Sequence, residues 1–354
     1  MKKVIKQLEE RNLDGLFLVD YANIRYMSGF TNADSYILIT KEKQYFLTDY
    51  RYSEQAEKEC KGFEVITVDR EEKPLEQVIL EIADSTGLKN IGFEENHIVF
   101  QLLEKLRGAM PRIEFVPTNG IVESLRYIKT NKEIDYIQTA ASIADKAFDQ
   151  ILDTLKPGMT ELEAAWKLET FMREFGADSS AFQTILISGQ KTSLPHGIPS
   201  RKKIEKGDLV TIDFGALVEG YRSDMTRTIV VGKPDEKQKK IYAIIQEAQE
   251  QGLQSARAGR TGKEVNEEVM KIISGYGYIE FAGKGLGHGV GLDIHELPFM
   301  NKTCGDELKE NCVVTIEPGI YIPYWGGVRI EDIIAVKNGP CKVLSNSPKE
   351  LISI

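Results

Sequence analysis

The first part of the chain alternates short apolar segments with stretches of helical periodicity. Six segments have the apolar, β-branched character of strands, at residues 15–20, 36–40, 44–48, 63–68, 90–93 and 113–116. Helical periodicity occurs before and between them, at residues 1–11, 50–60, 74–85 and 97–108. This alternation predicts an α/β domain. A Pro-Thr-Asn-Gly turn at residues 117–120 and a helical linker follow, so we place the domain boundary after residue 125.

The rest of the chain carries one pattern twice. Each copy opens with a Thr-x-x-Glu capping box, at Thr160 and at Thr261. Helical periodicity follows and stops near Gly176 and Gly277. Each copy then continues into a β-hairpin with a related hexapeptide, Val-Thr-Ile-Asp-Phe-Gly in the first and Val-Thr-Ile-Glu-Pro-Gly in the second. We therefore predict an α+β domain with an internal pseudo-two-fold repeat.

Each hairpin carries two acidic residues among apolar neighbours. They are Asp213 and Asp224 in the first hairpin and Glu317 and Glu331 in the second. A tight turn at residues 218–219 would pair Asp213 directly with Asp224, and like charges about 5 Å apart across a strand pair destabilise a sheet. The even spacing of the second pair around Tyr324 indicates an odd-numbered loop or a bulge. Because divalent cations prefer carboxylate oxygens, two matched pairs indicate a binuclear metal site, with solvated surface acids as the alternative.

Histidine is rare in this chain, and three of its four histidines lie near the acidic hairpins. His288 lies in a segment with four glycines in seven residues, where the backbone can approach a ligand closely. Its imidazole is a candidate fifth metal ligand. His196 and His295 lie in other segments beside the hairpins, and a hydrogen-bonded loop histidine is the alternative for all three. His97 marks the start of a surface helix and is not a site candidate.

Composition and charge exclude several classes of protein. The length of 354 residues suits two domains, and a net charge of −9 disfavours a nucleic-acid partner, which requires a basic surface. No apolar stretch is long enough for a membrane span, and we expect no secretory leader. The four cysteines form no C-x-x-C motif, so we expect reduced thiols in a cytoplasmic enzyme.

Five candidate ligands resemble, in order and spacing, the metal ligands of the pita-bread metallopeptidases: Asp213, Asp224, His288, Glu317 and Glu331. This family includes methionine aminopeptidases, aminopeptidase P, prolidase and creatinase. The resemblance covers roughly residues 128–354 and includes the Ser-Leu-Pro-His-Gly, Glu-Pro-Gly and Val-Arg-Ile-Glu-Asp segments. The Leu-Pro-His-Gly segment, the His295–Glu296 pair and an additional N-terminal domain are similar to the branch that cleaves Xaa-Pro bonds.

The resemblance implies a pita-bread catalytic domain at residues 126–354, preceded by a creatinase-type N-terminal domain at residues 1–125 that shapes the cleft of a homodimer. It also implies two divalent cations bridged by Asp224 and Glu331, which would activate a water molecule for attack on a peptide carbonyl. An oxygen-rich shell with one imidazole favours manganese, with cobalt, iron and zinc as alternatives. Glu317 is implied to shuttle the proton of that water as well as to bind a cation.

Four side chains complete the expected catalytic and substrate-binding set. By the resemblance, His196 and His295 are not ligands but donate hydrogen bonds to the substrate carbonyl or the developing oxyanion. Arg329 precedes Glu331 by two residues, so strand alternation places it on the same face. There it can orient that carboxylate or bind a substrate carboxylate. Tyr321, on the strand after the Glu-Pro-Gly segment, is also expected on the metal face.

These assignments predict a cytoplasmic, homodimeric Xaa-Pro dipeptidase that acts on proline-containing peptides. The alternatives are an aminopeptidase P acting on longer peptides, a methionine aminopeptidase, metal-free creatinase chemistry, and a binding module that has lost catalysis. The intact ligand set disfavours creatinase chemistry, and the N-terminal domain disfavours a minimal methionine aminopeptidase. The presence of every ligand and of both additional histidines disfavours a binding module. The sequence leaves the choice between dipeptides and longer peptides open.

Overall fold

The computed structural model describes residues 1–354, which form two compact units, Met1–Arg126 and Tyr127–Ile354. The strands of the first unit are Gly15–Leu18 (β1), Ser35–Thr40 (β2), Gln44–Asp49 (β3), Glu64–Val68 (β4), Asn90–Glu94 (β5) and Glu114–Thr118 (β6). They form one mixed sheet in the order β4-β3-β2-β1-β5-β6. The central strand β1 is antiparallel to β2 and parallel to β5, and all its residues are buried. All six strands predicted from the sequence are present.

The helices of the first unit are Lys2–Glu10 (α1), Tyr21–Ser28 (α2), Ser53–Glu59 (α3), Leu75–Thr86 (α4), Phe100–Ala109 (α5) and Glu123–Arg126 (α6). The sequence does not predict α2, because its buried residues include the polar Asn23 and Ser28 and so leave no apolar stripe. Asp20 caps its start by accepting a hydrogen bond from the Asn23 N–H at 2.9 Å, and Gly29 ends it with a φ of 78°. None of the helices in the chain has the length and apolar character needed to cross a membrane.

The second unit repeats a pair of helices. The pairs are Asn131–Thr154 (α7) with Glu161–Glu174 (α8), and Glu236–Ser255 (α9) with Gly262–Gly275 (α10). Both predicted capping boxes are formed, by Thr160 with Glu163 and by Thr261 with Glu264. The predicted glycines follow the helix ends in left-handed conformation, with φ of 104° and 79°.

The second unit has thirteen strands. They are Ser179–Ser180 (β7), Ile185–Ser188 (β8), Leu209–Phe214 (β9), Ala216–Val218 (β10), Tyr221–Arg222 (β11), Met225–Val230 (β12), Gly285–Gly289 (β13), Glu296–Asn301 (β14), Val313–Ile316 (β15), Gly319–Ile322 (β16), Gly326–Arg329 (β17), Asp332–Ala335 (β18) and Lys342–Val343 (β19). Ile212 and Phe214 of β9 share a core with α7 and α8, where Phe148 stacks on Phe214 with ring centroids 6.3 Å apart. Asp213 lies between them, so its side chain points to the opposite face.

The turn of the first hairpin corrects the predicted pairing of its acids. The turn residues are Glu219 and Gly220, with φ of 51° and 83°, and not residues 218–219. Asp213 therefore pairs with Thr226, and Asp224 lies two residues away on the same face. A two-residue hairpin turn with positive φ at both positions is favoured by glycine, whereas the β-branched Val218 is suited to the strand.

The second hairpin has the odd-numbered loop that the spacing of its acids predicts. Residues 323–325 connect β16 and β17, and Gly319 pairs with Arg329. The flanking strands keep the same register, because Ile316 of β15 pairs with Asp332 of β18. In this register Glu317 lies opposite Glu331.

Candidate metal centre

A cavity of about 160 Å³ in the second unit is lined by residues of both halves. Its lining residues are Phe182, Ile185, His196, Asp213, Asp224, His288, Ile294, His295, Glu317 and Glu331. The structure thus brings together all five candidate metal ligands and both additional histidines. Arg329 and Tyr321 lie outside the lining, and His97 belongs to the first unit, where its Nδ1 is 3.2 Å from Asp20 Oδ1.

His288 lies at the centre of the acidic residues. Its Nε2 is 3.5 Å from Asp224 Oδ2 and 3.4 Å from Glu317 Oε1. Ligand atoms of Asp224, His288 and Glu331 all lie within 4.8 Å of one another. His288 Nδ1 is 3.1 Å from the carbonyl oxygen of Gly289, and a proton on Nδ1 leaves the Nε2 lone pair facing the carboxylates. This is the tautomer that can bind a cation at Nε2.

Burial and mutual repulsion change the acidity of these groups. Burial raises the pKa of Asp224 and of Glu331 well above the usual range, and the neighbouring carboxylates add to both shifts. Burial also raises the pKa of Glu317 to about 7. The pKa of His288 is lowered, chiefly by burial, so its neutral form is favoured. The group therefore resists carrying its full negative charge unless a cation compensates for it.

Two carboxylate oxygens in the cavity wall are available to bind a metal. Asp213 Oδ1 and Glu331 Oε1 are buried and accept no hydrogen bond. The second oxygen of each is held: Arg329 Nη2 donates to Asp213 Oδ2 at 2.6 Å, and the Thr226 hydroxyl donates to Glu331 Oε2 at 2.7 Å. Buried oxygens without partners are costly, and a coordinated cation would remove that cost. The donor set of carboxylates and one imidazole fits divalent cations.

Arg329 makes direct contacts that differ in part from those predicted. The Arg329 guanidinium contacts Asp213 and not Glu331, because it extends sideways from β17 towards β9. Its other donors reach the Tyr321 hydroxyl at 2.7 Å and the Thr226 hydroxyl at 2.9 Å. With Arg329 only 3% exposed, these side chains lie behind the carboxylates. Arg329 therefore makes no direct contact with Glu331 and is linked to that carboxylate through the Thr226 hydroxyl.

His196 and His295 lie on the open side of the cavity. Both are exposed, unlike His288. The His295 ring packs edge-on against His288, with centroids 4.3 Å apart. Partial burial, together with the nearby His288, lowers the pKa of His295. His196 follows a 3-10 turn, Gly189–Ser193, in an exposed loop.

Comparison with known proteins identifies the family. A family model described as metallopeptidase family M24 matches residues 135–338. A second model, described as the creatinase/prolidase N-terminal domain, matches residues 1–128. The chain belongs to metallopeptidase family M24.

Several relatives of this M24 chain match it along its whole length. A curated Xaa-Pro dipeptidase of Pyrococcus horikoshii is 40% identical over 353 residues, which are 99% of this chain and 98% of the relative. A solved Xaa-Pro dipeptidase from Bacillus anthracis has a TM-score of 0.97 at 42% identity, covering 100% of this chain and 98% of that one. An X-Pro aminopeptidase structure from Thermotoga maritima has a TM-score of 0.92 at 36% identity, covering 100% and 99%. The predicted pita-bread catalytic domain with a creatinase-type N-terminal domain is confirmed.

Two threonines in the M24 site were not predicted from the sequence. The Thr315 hydroxyl donates to Glu317 Oε1 at 3.1 Å and accepts from the His288 N–H at 3.1 Å. The Thr226 hydroxyl donates to Glu331 Oε2 and accepts from Arg329 Nε. Each threonine lies two residues from a candidate ligand on a strand, so the two-residue period of a strand could have placed it on the metal face. Apolar lining residues such as Phe182 carry no comparable signal.

Two glycines beside His288 allow neighbouring strands to pack closely. A Cβ at Gly287 would lie 2.2 Å from the Thr315 carbonyl oxygen, and one at Gly289 would lie 2.4 Å from the Leu297 carbonyl oxygen. The backbone thus approaches neighbouring strands closely at these two glycines. This close packing places His288 against β15.

Proposed function

We propose that this M24 protein is a metal-dependent Xaa-Pro dipeptidase. The observation that supports the proposal most strongly is the convergence of five candidate ligands and two exposed histidines on one cavity. The names of its full-length relatives, Xaa-Pro dipeptidase and X-Pro aminopeptidase, indicate the bond that is cleaved.

We propose that two divalent cations, with manganese favoured over cobalt, iron or zinc, are held by Asp213, Asp224, His288, Glu317 and Glu331. Such cations lower the pKa of a water molecule and polarise a peptide carbonyl. The buried, unpartnered oxygens of Asp213 and Glu331 support this assignment, because each side chain is already fixed through its other oxygen. Arg329 and Tyr321 serve to hold Asp213 in place.

The protein's own groups would then handle the substrate and the proton. Glu317, oriented by the Thr315 hydroxyl, takes the proton of the attacking water and passes it to the leaving nitrogen. His196 and His295 face the open side of the cavity, where each can donate a hydrogen bond to the substrate carbonyl as negative charge develops on its oxygen. This division makes the two histidines catalytic residues without making them ligands.

Proline defines the substrate class in this proposal. The nitrogen of the Xaa-Pro bond belongs to proline and carries no hydrogen, so a peptidase that grips the scissile N–H rejects such a bond. A site that works on the carbonyl and the free amino end of the peptide accepts it. An aminopeptidase P that prefers longer peptides is the second candidate, and the full-length match to the Thermotoga maritima X-Pro aminopeptidase favours it.

One assay distinguishes these candidates. The purified protein with added manganese is given Ala-Pro, Ala-Pro-Ala and Met-Ala at equal concentrations, and kcat/KM is measured for each. We expect fastest hydrolysis of Ala-Pro and little of Met-Ala. Faster hydrolysis of Ala-Pro-Ala would move the assignment to aminopeptidase P, and a preference for Met-Ala would contradict the proline specificity altogether.

We further propose that the protein acts in the cytoplasm as a homodimer, with residues 1–125 as the creatinase-type domain and residues 126–354 as the catalytic domain. The match of the N-terminal family model to residues 1–128 supports this division. Light scattering coupled to gel filtration tests the assembly: a mass near 80 kDa, twice the 39.8 kDa of the chain, is expected. A mass of one chain would contradict the dimer.

A further inference from the structure

Glu161 is a fully buried carboxylate outside the candidate metal centre. It is the first residue of α8 and has no exposed surface. Its Oε1 accepts hydrogen bonds from the N–H and hydroxyl of Ser188 at 2.8 and 3.1 Å. Its Oε2 accepts from Lys191 Nζ at 2.8 Å, and from the N–H and hydroxyl of Ser200 at 3.0 and 2.8 Å. A buried charge is costly unless it is paired and hydrogen bonded, and these donors meet both conditions.

All partners of this carboxylate belong to the loop that carries His196. Ser188 ends β8, Lys191 lies in the 3-10 turn before His196, and Ser200 lies four residues after it. Lys191 Nζ also donates to the carbonyl oxygen of Ile198 at 2.5 Å. The Glu161 carboxylate and the Lys191 ammonium group therefore join the two ends of the loop. His196 lies on the loop between these two ends, at the cavity.

The second half of the unit has no such carboxylate at the equivalent position. In the repeated Thr-x-x-Glu segment, Gly262 corresponds to Glu161, and a Cβ there would lie 2.3 Å from the Phe299 carbonyl oxygen. The segment after His295 is held differently, by a buried ion pair of Lys129 with Glu296 at 2.6 Å. Since both helix starts keep their capping boxes, starting a helix does not require Glu161.

We infer that the Glu161–Lys191 ion pair is a positioning element that holds His196 at the catalytic cavity. An exposed loop histidine can stabilise a transition state only if its ring is held close to the productive geometry before substrate arrives. The ion pair supplies this constraint from beneath the loop, without touching the substrate. The inference rests on the proposed function, in which His196 acts on the substrate carbonyl.

Two substitutions test the ion pair, and a third is their matched control. Glu161→Gln keeps the size of the side chain and removes its charge. Lys191→Met removes the other partner from a partly exposed position. Glu163→Gln is the control, because Glu163 belongs to the same helix start, is exposed, and accepts hydrogen bonds from Thr160 instead of the loop.

We expect Glu161→Gln and Lys191→Met to lower kcat for Ala-Pro about 10-fold, because small displacements of a catalytic group cost rate. KM and bound manganese should stay close to the wild-type values, and Glu163→Gln should leave kcat unchanged. In a His196→Ala background, either substitution should lower kcat less than about 2-fold, since the group being positioned is already absent. An equal loss in both backgrounds, or wild-type kcat in Lys191→Met, would overturn the inference.

A second measurement does not depend on turnover. The full chain has four histidines, so their ring signals can be followed by NMR after histidine labelling of the zinc-loaded protein, with His196→Ala to assign one of them. Glu161→Gln should shift or broaden the His196 signal alone, and Glu163→Gln should move none. A His196 signal that does not respond overturns the inference. A selective response in a protein that cleaves no Xaa-Pro peptide supports the positioning role while the proposed function fails.

Discussion

Asp213 and Glu331 each have one carboxylate oxygen held by the protein and one buried oxygen without a partner. The held oxygen fixes the orientation of the side chain, so the other oxygen points in a defined direction. Asp224 and Glu317 flank His288 within 3.5 Å of its Nε2. The protein's own contacts therefore preorganise the ligand atoms of these residues.

Replacing Asp224 with asparagine tests this ligand set. An amide oxygen is a weaker ligand than a charged carboxylate, so Asp224→Asn should lower manganese content. It should also reduce kcat by more than about 100-fold, beyond the 10–100-fold typical of changing a residue that only supports a ligand. Elemental analysis and Ala-Pro hydrolysis measure both effects. Asp178→Asn is the control, because Asp178 is exposed and accepts a hydrogen bond from Glu219 that an amide oxygen can also accept. Unchanged metal content in Asp224→Asn would show that the cations bind elsewhere.

Removing either exposed histidine should separate catalysis from metal binding. His196→Ala and His295→Ala should retain their manganese and lose about 100-fold in kcat, the usual cost of removing one donor to a developing oxyanion. His97→Ala, in the first unit, should behave as wild type. Kinetics and elemental analysis on the same samples check this. Loss of metal in either variant would make that histidine a ligand and contradict the proposed division of roles.

At the scale of the elements, each half of the second unit packs one face of a hairpin against helices and places its acids on the other face, towards the cavity. Ile212 and Phe214 face α7 and α8, and Val314 and Ile316 pack with α9 and α10. Strand alternation then turns the acids towards the opposite face. The glycine-rich strand β13 joins this arrangement because it can approach β14 and β15 more closely than a strand with side chains could.

The close approach of β13 gives a prediction with a matched control. Gly287→Ala would place a Cβ 2.2 Å from the Thr315 carbonyl oxygen, whereas nothing lies within 4 Å of a Cβ at Gly285. We expect Gly287→Ala to destabilise the fold by about 1–3 kcal/mol, the usual cost of overpacking, and to weaken metal binding through His288. Gly285→Ala should change the free energy of unfolding by less than about 0.5 kcal/mol. Thermal unfolding and metal titration measure both, and equal behaviour of the two variants would show that this contact does not constrain β13.

At the scale of the whole molecule, burial of the acidic residues couples stability to pH. Burial raises the pKa of Glu317 in the metal-free protein from 4.5 to about 7. An unfolded chain returns to the lower value, so between these pH values the folded protein holds a proton that the unfolded chain has released. The stabilising contribution of Glu317 is therefore complete below pH 4.5 and is lost as pH rises to 7.

We expect the melting temperature of the chelator-treated protein to fall as pH rises from 4.5 to 7, the window of the Glu317 pKa shift. The fall should be smaller in Glu317→Gln, which has no carboxyl group to ionise at this position. Calorimetry across this range measures the difference between the two proteins. Added manganese should remove this fall in the melting temperature of the wild-type protein, because it stabilises the ionised form of Glu317. An identical fall in both proteins would contradict the raised pKa.

The sequence alone determined the elements and the identity of the candidate site. Six strands of the first unit, both capping boxes and the two acidic hairpins were readable because strand periodicity, helix caps and turns depend on residues a few positions apart. The repeat of these local patterns also identified the candidate ligands as a group. The short helix α2 was missed, since polar residues such as Asn23 and Ser28 lie on its buried face.

The tertiary structure decided which of these residues touch. Asp213 meets Arg329 at 2.6 Å across 116 residues of sequence, although spacing along β17 pointed to Glu331. The first hairpin has a register that Glu219 and Gly220 select through their backbone conformation, so Asp213 faces Thr226 and not Asp224. The partners of Glu161 and the close approach at Gly287 likewise depend on packing between distant segments. Such contacts are chosen by the shape and charge of the whole core, which no short window of sequence contains.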